Sequence, residues 1–304
     1  MRKGTVAISL VVMLLSMCAL AFAGDDDSKM ASPNYSGNPP NFLSITIEMT
    51  KPGVGPAHEK LETGWPQAFT KANWPTHYLA MTSVTGKTEA WFITGYDSAE
   101  AAEKDGDAFA HNTTLRTASE QLAQQDAQYL TGTKTITAMY KPALSYSSSP
   151  PNIAEKRYFR ITTIRVKPGH DEEFKEMFGM IKAAHEKAHL NENVIVFQIA
   201  AGTPGPAYLI FAPLKSMKEA DEYDGMHSKM YQDTMDADGR KKMAELMSAC
   251  EESSESNYFE FSPKMSYVSK EWIAANPDFW APKAMMATKT KKAPETKAKK
   301  EGAQ

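Results

Sequence analysis

The chain has 304 residues, of which 42% are hydrophobic and 23% charged, with a formal net charge of −3 and two cysteines. That is enough apolar chain for one or two packed domains. The C-terminal residues 281–304 carry seven Lys against two Glu and the leader adds +2, which leaves −10 on residues 24–280. So acidic a body excludes general nucleic-acid binding, which needs a basic face.

Residues 1–23 have the pattern of a secretory signal: Arg2 and Lys3, an apolar run from Val6 to Leu20, and "AFA" ending at Ala23. This predicts a periplasmic or secreted bacterial protein with no transmembrane anchor after cleavage. Met17 fits poorly before a lipidated Cys18. Cleavage would leave Cys250 as the single thiol, so no internal disulfide is expected. The chain has no Cys-x-x-Cys-His, which excludes covalent c-type haem.

A polar lead-in covers 24–41. Beyond it, "ITIEMTKPG" (45–53) and "ITTIRVKPG" (161–169) agree at five of nine positions, 116 residues apart. Each is an alternating strand stopped by Lys-Pro-Gly, where Pro cannot continue a ladder and Gly permits the turn. Three further matches follow in the same order. "TKANWPTHYLAMTSVTG" parallels "EKAHLNENVIVFQIAAG", "AWFITGYDSAEAAEKDG" parallels "AYLIFAPLKSMKEADEYDG", and "KPALSYS" parallels "SPKMSYV". Matches in register indicate a duplication.

In the first copy, strands are predicted near 42–49, 78–84, 88–96 and 134–140, with helices near 56–73 (kinked at Pro66), 98–104 and 113–129. In the second copy the strands are 158–166, 194–200, 207–212 and 257–261. Its helices are 171–189, a short one at 216–223 and a longer one within 227–250. This order gives an α+β fold: two tandem ferredoxin-like domains, 42–147 and 157–268, joined by a linker at 148–156. A Trp-bearing extension at 269–280 is expected to pack on the body, and the 281–304 tail is expected to be disordered.

On "IRVKPGHDEEFKEMF" and "AWFITGYDSAEAAEKD", the chain resembles the dimeric α/β-barrel superfamily, with its antibiotic-biosynthesis-monooxygenase-like and NIPSNAP-like domains. The likeness covers about 42–147 and 157–268 and is structural. It implies that two antiparallel sheets pair into a barrel, here within one chain, so that the monomer is a pseudo-dimer. Activities in the superfamily include cofactor-free oxygenation of aromatic molecules and haem binding or degradation. The Asn, Trp and helical His of haem-degrading relatives are only partly matched, by Trp91 and by His111 or His227, with no interior Asn on either first strand.

The candidate site residues follow from helix and strand faces. "HEKAH" places His185 and His189 one turn apart around Glu186, a spacing that can hold zinc. The helix ends at Asn191–Asn193 with no second helix for a third ligand, and the matching segment in the first copy is "FTKAN" (69–73). His185 falls within the stripe of Phe174, Met177, Phe178, Ile181, Ala184 and Ala188, and is expected to face the sheet. The first helix offers His58 and Trp65 on a similar stripe. Trp91 and Tyr208 are taken to occupy matching strand positions, and His111 and His227 to open the third helices.

Together, His58, Trp65, Trp91, His185, Tyr208 and His227 are the expected ligand-binding residues, with His185 and His189 as a candidate metal pair. The expected function is exported binding of a small apolar or aromatic molecule. The alternatives are a cofactor-free monooxygenase-like enzyme on an aromatic substrate and an interaction protein of the envelope. No cofactor is required by any motif, haem and zinc being the candidates, and the Lys-rich tail could touch anionic envelope polymers.

Overall fold

Alternation divides each strand into two faces. In the first strand, β1 (Phe42–Thr50), Leu43, Ile45 and Ile47 are buried on one side, while Ser44, Thr46 and Glu48 lie on the other. The computed structural model describes residues 37–281. The signal, most of the lead-in and the tail beyond residue 281 lie outside the described residues.

The first half continues through α1 (Gly55–Glu62), α2 (Gly64–Ala72), β2 (Leu79–Ser83), β3 (Glu89–Tyr96), α3 (Ala99–His111), α4 (Thr113–Asp126) and β4 (Leu130–Tyr140). A short β5 (Tyr146–Ser147) follows. The second half comprises β6 (Tyr158–Val166), α5 (Asp171–Ala188), β7 (Asn193–Ala201), β8 (Ala207–Leu214), α6 (Met217–Thr234), α7 (Ala237–Cys250) and β9 (Glu251–Phe261). Two short helices, α8 (Lys270–Ala275) and α9 (Pro277–Trp280), end the described chain.

Within each half the strand order is that of a ferredoxin-like sheet: β4-β1-β3-β2, then β9-β6-β8-β7. Two seams join them. Met81 of β2 lies opposite Phe261 of β9, and Tyr140 of β4 lies opposite Phe197 of β7. The eight strands therefore close into one antiparallel barrel, the dimeric α/β-barrel architecture formed by a single chain.

The inner faces fill the barrel. Ile45, Ile47, Met81, Trp91, Ile161, Leu209, Phe211, Phe259 and Phe261 form one cluster. The extension packs against one end of it, where Trp272 and Trp280 are buried and Trp280 Nε1 donates to the Ala154 carbonyl (2.7 Å). Helices cover the outer faces. In the second half this layer includes an apolar cluster of Ile164, Phe174, Met177, Phe178, Val196 and Tyr208. Among the described residues no helix is long and apolar enough to cross a membrane.

Several boundaries differ from the sequence expectation. The helix at 56–73 is two helices broken at Thr63, and Pro66 sits in the first turn of α2, where its missing N–H costs nothing. The helices at 216–223 and 227–250 are α6 and α7, split instead at Met235–Asp236, where the Asp236 side chain accepts from Gly239 N. The last strand starts at Glu251, six residues before the expected 257. Its first residues are exposed and polar, so no apolar alternation marks them.

The hairpin of the second half is longer by two residues. Ser98 and Ser216 both cap their helices in the same extended conformation, so the offset after the hairpin is 118. Tyr208, opposite Ile164, therefore matches Ala90, opposite Glu48, while Leu209 matches Trp91. Tyr208 and Trp91 thus lie on opposite faces of the sheet, which corrects their expected equivalence.

The β4–β7 seam runs into Gly202, which has φ +93°, and a Cβ there would collide with the Thr135 carbonyl and Ile136 Cα. Gly202→Ala is expected to lower stability by about 2–4 kcal/mol, read as a lower urea midpoint at unchanged slope. A variant unfolding like the native protein would remove this glycine from the closure.

Candidate functional site

Two buried charged clusters lie between helices and sheet, one in each half. In the second half the last turns of α5 carry His185, α6 carries His227, and the turn before β7 carries Glu192. His185 Nδ1 lies 2.7 Å from the Ile181 carbonyl and His227 Nδ1 lies 2.7 Å from the Tyr223 carbonyl. A carbonyl only accepts, so both Nδ1 atoms carry the proton. Both Nε2 atoms then lie close to one carboxylate oxygen, Glu192 Oε1, at 2.8 and 2.9 Å. The His227 contact is a hydrogen bond that Nε2 donates when the ring carries a proton on both nitrogens. The His185 contact is short but off the N–H direction, so this Nε2, in a residue 2% exposed, has no hydrogen-bond partner.

Burial pushes the Glu192 carboxyl up, yet the contacts and charges of His185 and His227 outweigh it and hold the pKa at about 2. Burial likewise opposes charge on His227, but the Glu192 hydrogen bond and charge, with the Tyr223 carbonyl, raise its pKa overall. The rings around the cluster are Tyr146, 5.1 Å from His185, and Tyr223, 4.0 Å from His227. The Arg160 guanidinium lies 4.6 Å over Tyr223.

In the first half, β1 contributes Glu48, α1 contributes His58 and Glu62 one turn apart, and α4 ends with Asp126. His58 Nε2 is 2.9 Å from Glu48 Oε2 and 3.5 Å from Asp126 Oδ1. Trp65 Nε1 donates to Glu62 Oε1 (3.1 Å). Burial first, then the charges of Glu48 and Asp126, push the Glu62 carboxyl up to about 9. Burial and Glu48 push Asp126 up to about 6 against the pull of His58. The buried Tyr78 hydroxyl feels Glu62 and Glu48 as well, which with burial raises its pKa.

The duplication supplies an internal control. Glu48, His58 and Glu62 match Ile164, Phe174 and Phe178, all buried in the apolar layer of the second half. Conversely, His185 and His227 match Phe69 and Phe109, which stack at 6.3 Å. The fold is therefore built at either seat without charge.

Of the expected site residues, the structure brings His185 and His227 together, and His58 and Trp65 together. Trp91 lies on the barrel side of the sheet, its Nε1 donating to Glu89, away from His58 and Trp65. Tyr208 stacks on Phe174 at 4.1 Å as packing. His189 is exposed and ends α5 in the left-handed conformation (φ 50°), as Asn73 ends α2 (φ 49°). The groups converging with His185 are Glu192 and His227. His227 lies in the body of α6, and His111 ends α3 instead of opening a helix. Glu48, Glu62, Asp126 and Glu192 were not singled out by sequence.

The fold and these clusters define a tandem ferredoxin-like protein closed as one α/β barrel, with two buried histidine–carboxylate sets in its helix layer. No protein-family model and no curated protein matches the sequence. Among solved structures, an anthrone oxidase-like protein is 14% identical with TM-score 0.48, over 79% of this chain and 97% of its own. A candidate monooxygenase of Fusobacterium nucleatum subsp. nucleatum is 13% identical with TM-score 0.47, over 72% and 91%. A mutant chlorite dismutase of Candidatus Nitrospira defluvii in complex with cyanide is 8% identical with TM-score 0.41, over 74% and 92%. Likeness this distant carries no functional weight.

A carboxyl held at about 2 stabilises the fold above its ordinary 4.5, and that contribution disappears as pH falls toward 2. Metal-free Glu192→Gln protein is thus expected to be less stable than native near neutral pH, by on the order of 2–3 kcal/mol. The gap should close on acidification. Equal stability at all pH values in chelator-treated samples would contradict the described triplet.

Proposed function

We propose that the protein binds a divalent transition-metal ion at His185, Glu192 and His227 and uses its free coordination positions to hold a small molecule. The observation that carries this reading is the convergence of two Nε2 atoms and a carboxylate oxygen while both Nδ1 atoms are tied to backbone carbonyls. Metal-binding histidines are oriented in that way by their second nitrogen. The spacings of 2.8 and 2.9 Å are close to the roughly 3 Å between neighbouring ligands of a six-coordinate ion with bonds of about 2.1 Å. Two imidazoles and one carboxylate suit zinc or iron(II), and a bound ion would polarise an oxygen of a further ligand.

A ligand inside the barrel has less support. Its two described spaces are about 70 Å³, lined by Leu43, Ile195 and Phe211 among others, and about 130 Å³, lined by Lys87, Trp91 and Glu255 among others. Both lie below the roughly 300 Å³ at which pockets for drug-sized ligands begin.

A second reading, a monooxygenase-like enzyme, is favoured by the donor set itself, since two His and one carboxylate with open positions serve iron(II) oxygenases. It would be tested by dioxygen uptake with a phenolic substrate and ascorbate as two-electron reductant. The iron(II)-loaded protein should show uptake beyond the oxidation of its own iron, with hydroxylated product and water formed, and the zinc-loaded protein should not.

The primary test is a Co²⁺ titration of chelator-stripped protein, followed by visible absorption. A saturable signal is expected, with affinity reduced about 10–100-fold in His227→Ala and Glu192→Gln. No signal, or one indifferent to both substitutions, would sink the reading.

A further inference from the structure

A second cluster lies outside that site, in the first half. Glu48, His58, Glu62 and Asp126 each present a ligand atom, and all four atoms lie within 4.8 Å of one another. His58, Glu62 and Asp126 are each 2% exposed. Three carboxyl groups and one imidazole with no Lys or Arg in the set are a costly group to bury, because interior polar and charged groups are disfavoured unless they are fully partnered. At the matching seats the second half has Ile164, Phe174 and Phe178, so the fold does not require the charges.

Two polar atoms here are left over. Asp126 Oδ1 accepts no hydrogen bond although it is 3.5 Å from His58 Nε2, and the Tyr78 hydroxyl also has no partner. The Tyr78 residue is 8% exposed and lies in the field of Glu62 and Glu48. Buried polar atoms are nearly always satisfied, so each such exception calls for a missing partner. A partner serving several carboxylate oxygens and an imidazole nitrogen at once is a cation.

We infer that Glu48, His58, Glu62 and Asp126 form a second metal site, which takes a divalent cation of the manganese(II) or iron(II) kind. Three carboxylates are hard anionic donors, which selects against copper and soft ions, while the imidazole selects against calcium, which prefers an all-oxygen shell. The spread of ligand atoms needs only slight contraction, since opposite ligands of an ion with bonds of about 2.1 Å stand about 4.2 Å apart. Each element has a fixed role. The outer face of β1 presents Glu48, successive turns of α1 present His58 and Glu62, and the end of α4 closes the site with Asp126. Trp65, by donating to Glu62 Oε1, orients that carboxylate and is a positioning residue.

This site stands independently of the one at His185, and its test keeps the two apart. The full chain carrying His227→Ala is stripped with chelator and titrated with Mn²⁺, the free ion being followed by its EPR signal. Uptake of one equivalent is expected. Adding Asp126→Asn or Glu62→Gln, both nearly isosteric, should weaken it at least about tenfold. Thermal unfolding of each variant verifies the fold, and Asp126→Asn alone decides if Glu62→Gln does not fold. Two results would overturn the inference: no uptake by the His227→Ala protein at millimolar Mn²⁺, or uptake that neither substitution changes. Loss of Mn²⁺ here with Co²⁺ binding intact in the native protein would leave the His185 site standing alone.

Discussion

Everything else in the molecule depends on the two seams that close the barrel. Each half by itself would be a four-stranded sheet with free edges and a bare apolar face, an arrangement prone to edge pairing. Joining β2 to β9 and β4 to β7 removes four edges at once and turns both bare faces inward. The duplication makes this possible within one chain, since each half supplies the edge that the other lacks. Closure also has a consequence for function. The inward faces meet in a packed core of aromatic and branched side chains, and spaces of about 70 and 130 Å³ lie against it. The two histidine–carboxylate clusters lie instead in the layer between the sheet and its helices.

In that layer the two halves differ in kind. A helix–sheet interface gains stability by excluding water from apolar side chains, as Phe174, Tyr208 and Ile164 do in the second half. The first half gives up that gain at the same seats, where Ala90, His58 and Glu48 stand. The smaller Ala90 in place of Tyr208 makes room beside the β1 carboxylate. The aromatic group of Phe69, Tyr78, Phe109 and Tyr267 instead carries the packing farther along the helices. The second half reverses this choice, with His185 and His227 at the Phe69 and Phe109 seats.

Much of the architecture was legible in the sequence, because strands with one buried face alternate and the repeat could be aligned. The strands that were misjudged explain why the rest was not. Glu251 to Ser256 of β9 are almost wholly exposed, so no alternation identifies them, and a two-residue difference in hairpin length shifted the match of Tyr208. Of the clusters, His58 and His185 were found by their place on apolar stripes and His227 by its expected place at the start of a third helix, but the carboxylates were not. An acidic residue on a helix or strand resembles a solvated face, and Glu192 sits in a turn before β7. A signal for two of them did exist: in the aligned repeat, Glu48 and Glu62 replace Ile164 and Phe178, just as His58 replaces Phe174. The "HEKAH" pair was misleading for a backbone reason, because position 189 is the left-handed end of the helix in both halves.

The exchange of seats bears on how such clusters are tolerated at all. A buried charged group removes apolar contact from its immediate surroundings, and a helix held only by that contact would loosen. Here each helix layer has two packing regions, one at α1 or the first half of α5 and one at α2 or the end of α5. In each half one region gathers the histidine–carboxylate cluster, and the other is mainly aromatic or aliphatic, with Asp105 of α3 buried there in the first half and bonded by Thr76 and Tyr96. The sheet below is continuous through the seams, so the apolar region of one half supports the same barrel as the charged region of the other. Stability can thus be carried by Phe174 and Phe178 in one half and Phe69 and Phe109 in the other. The remaining seats are then free to gather imidazoles and carboxylates without loss of the apolar contact that holds each helix layer.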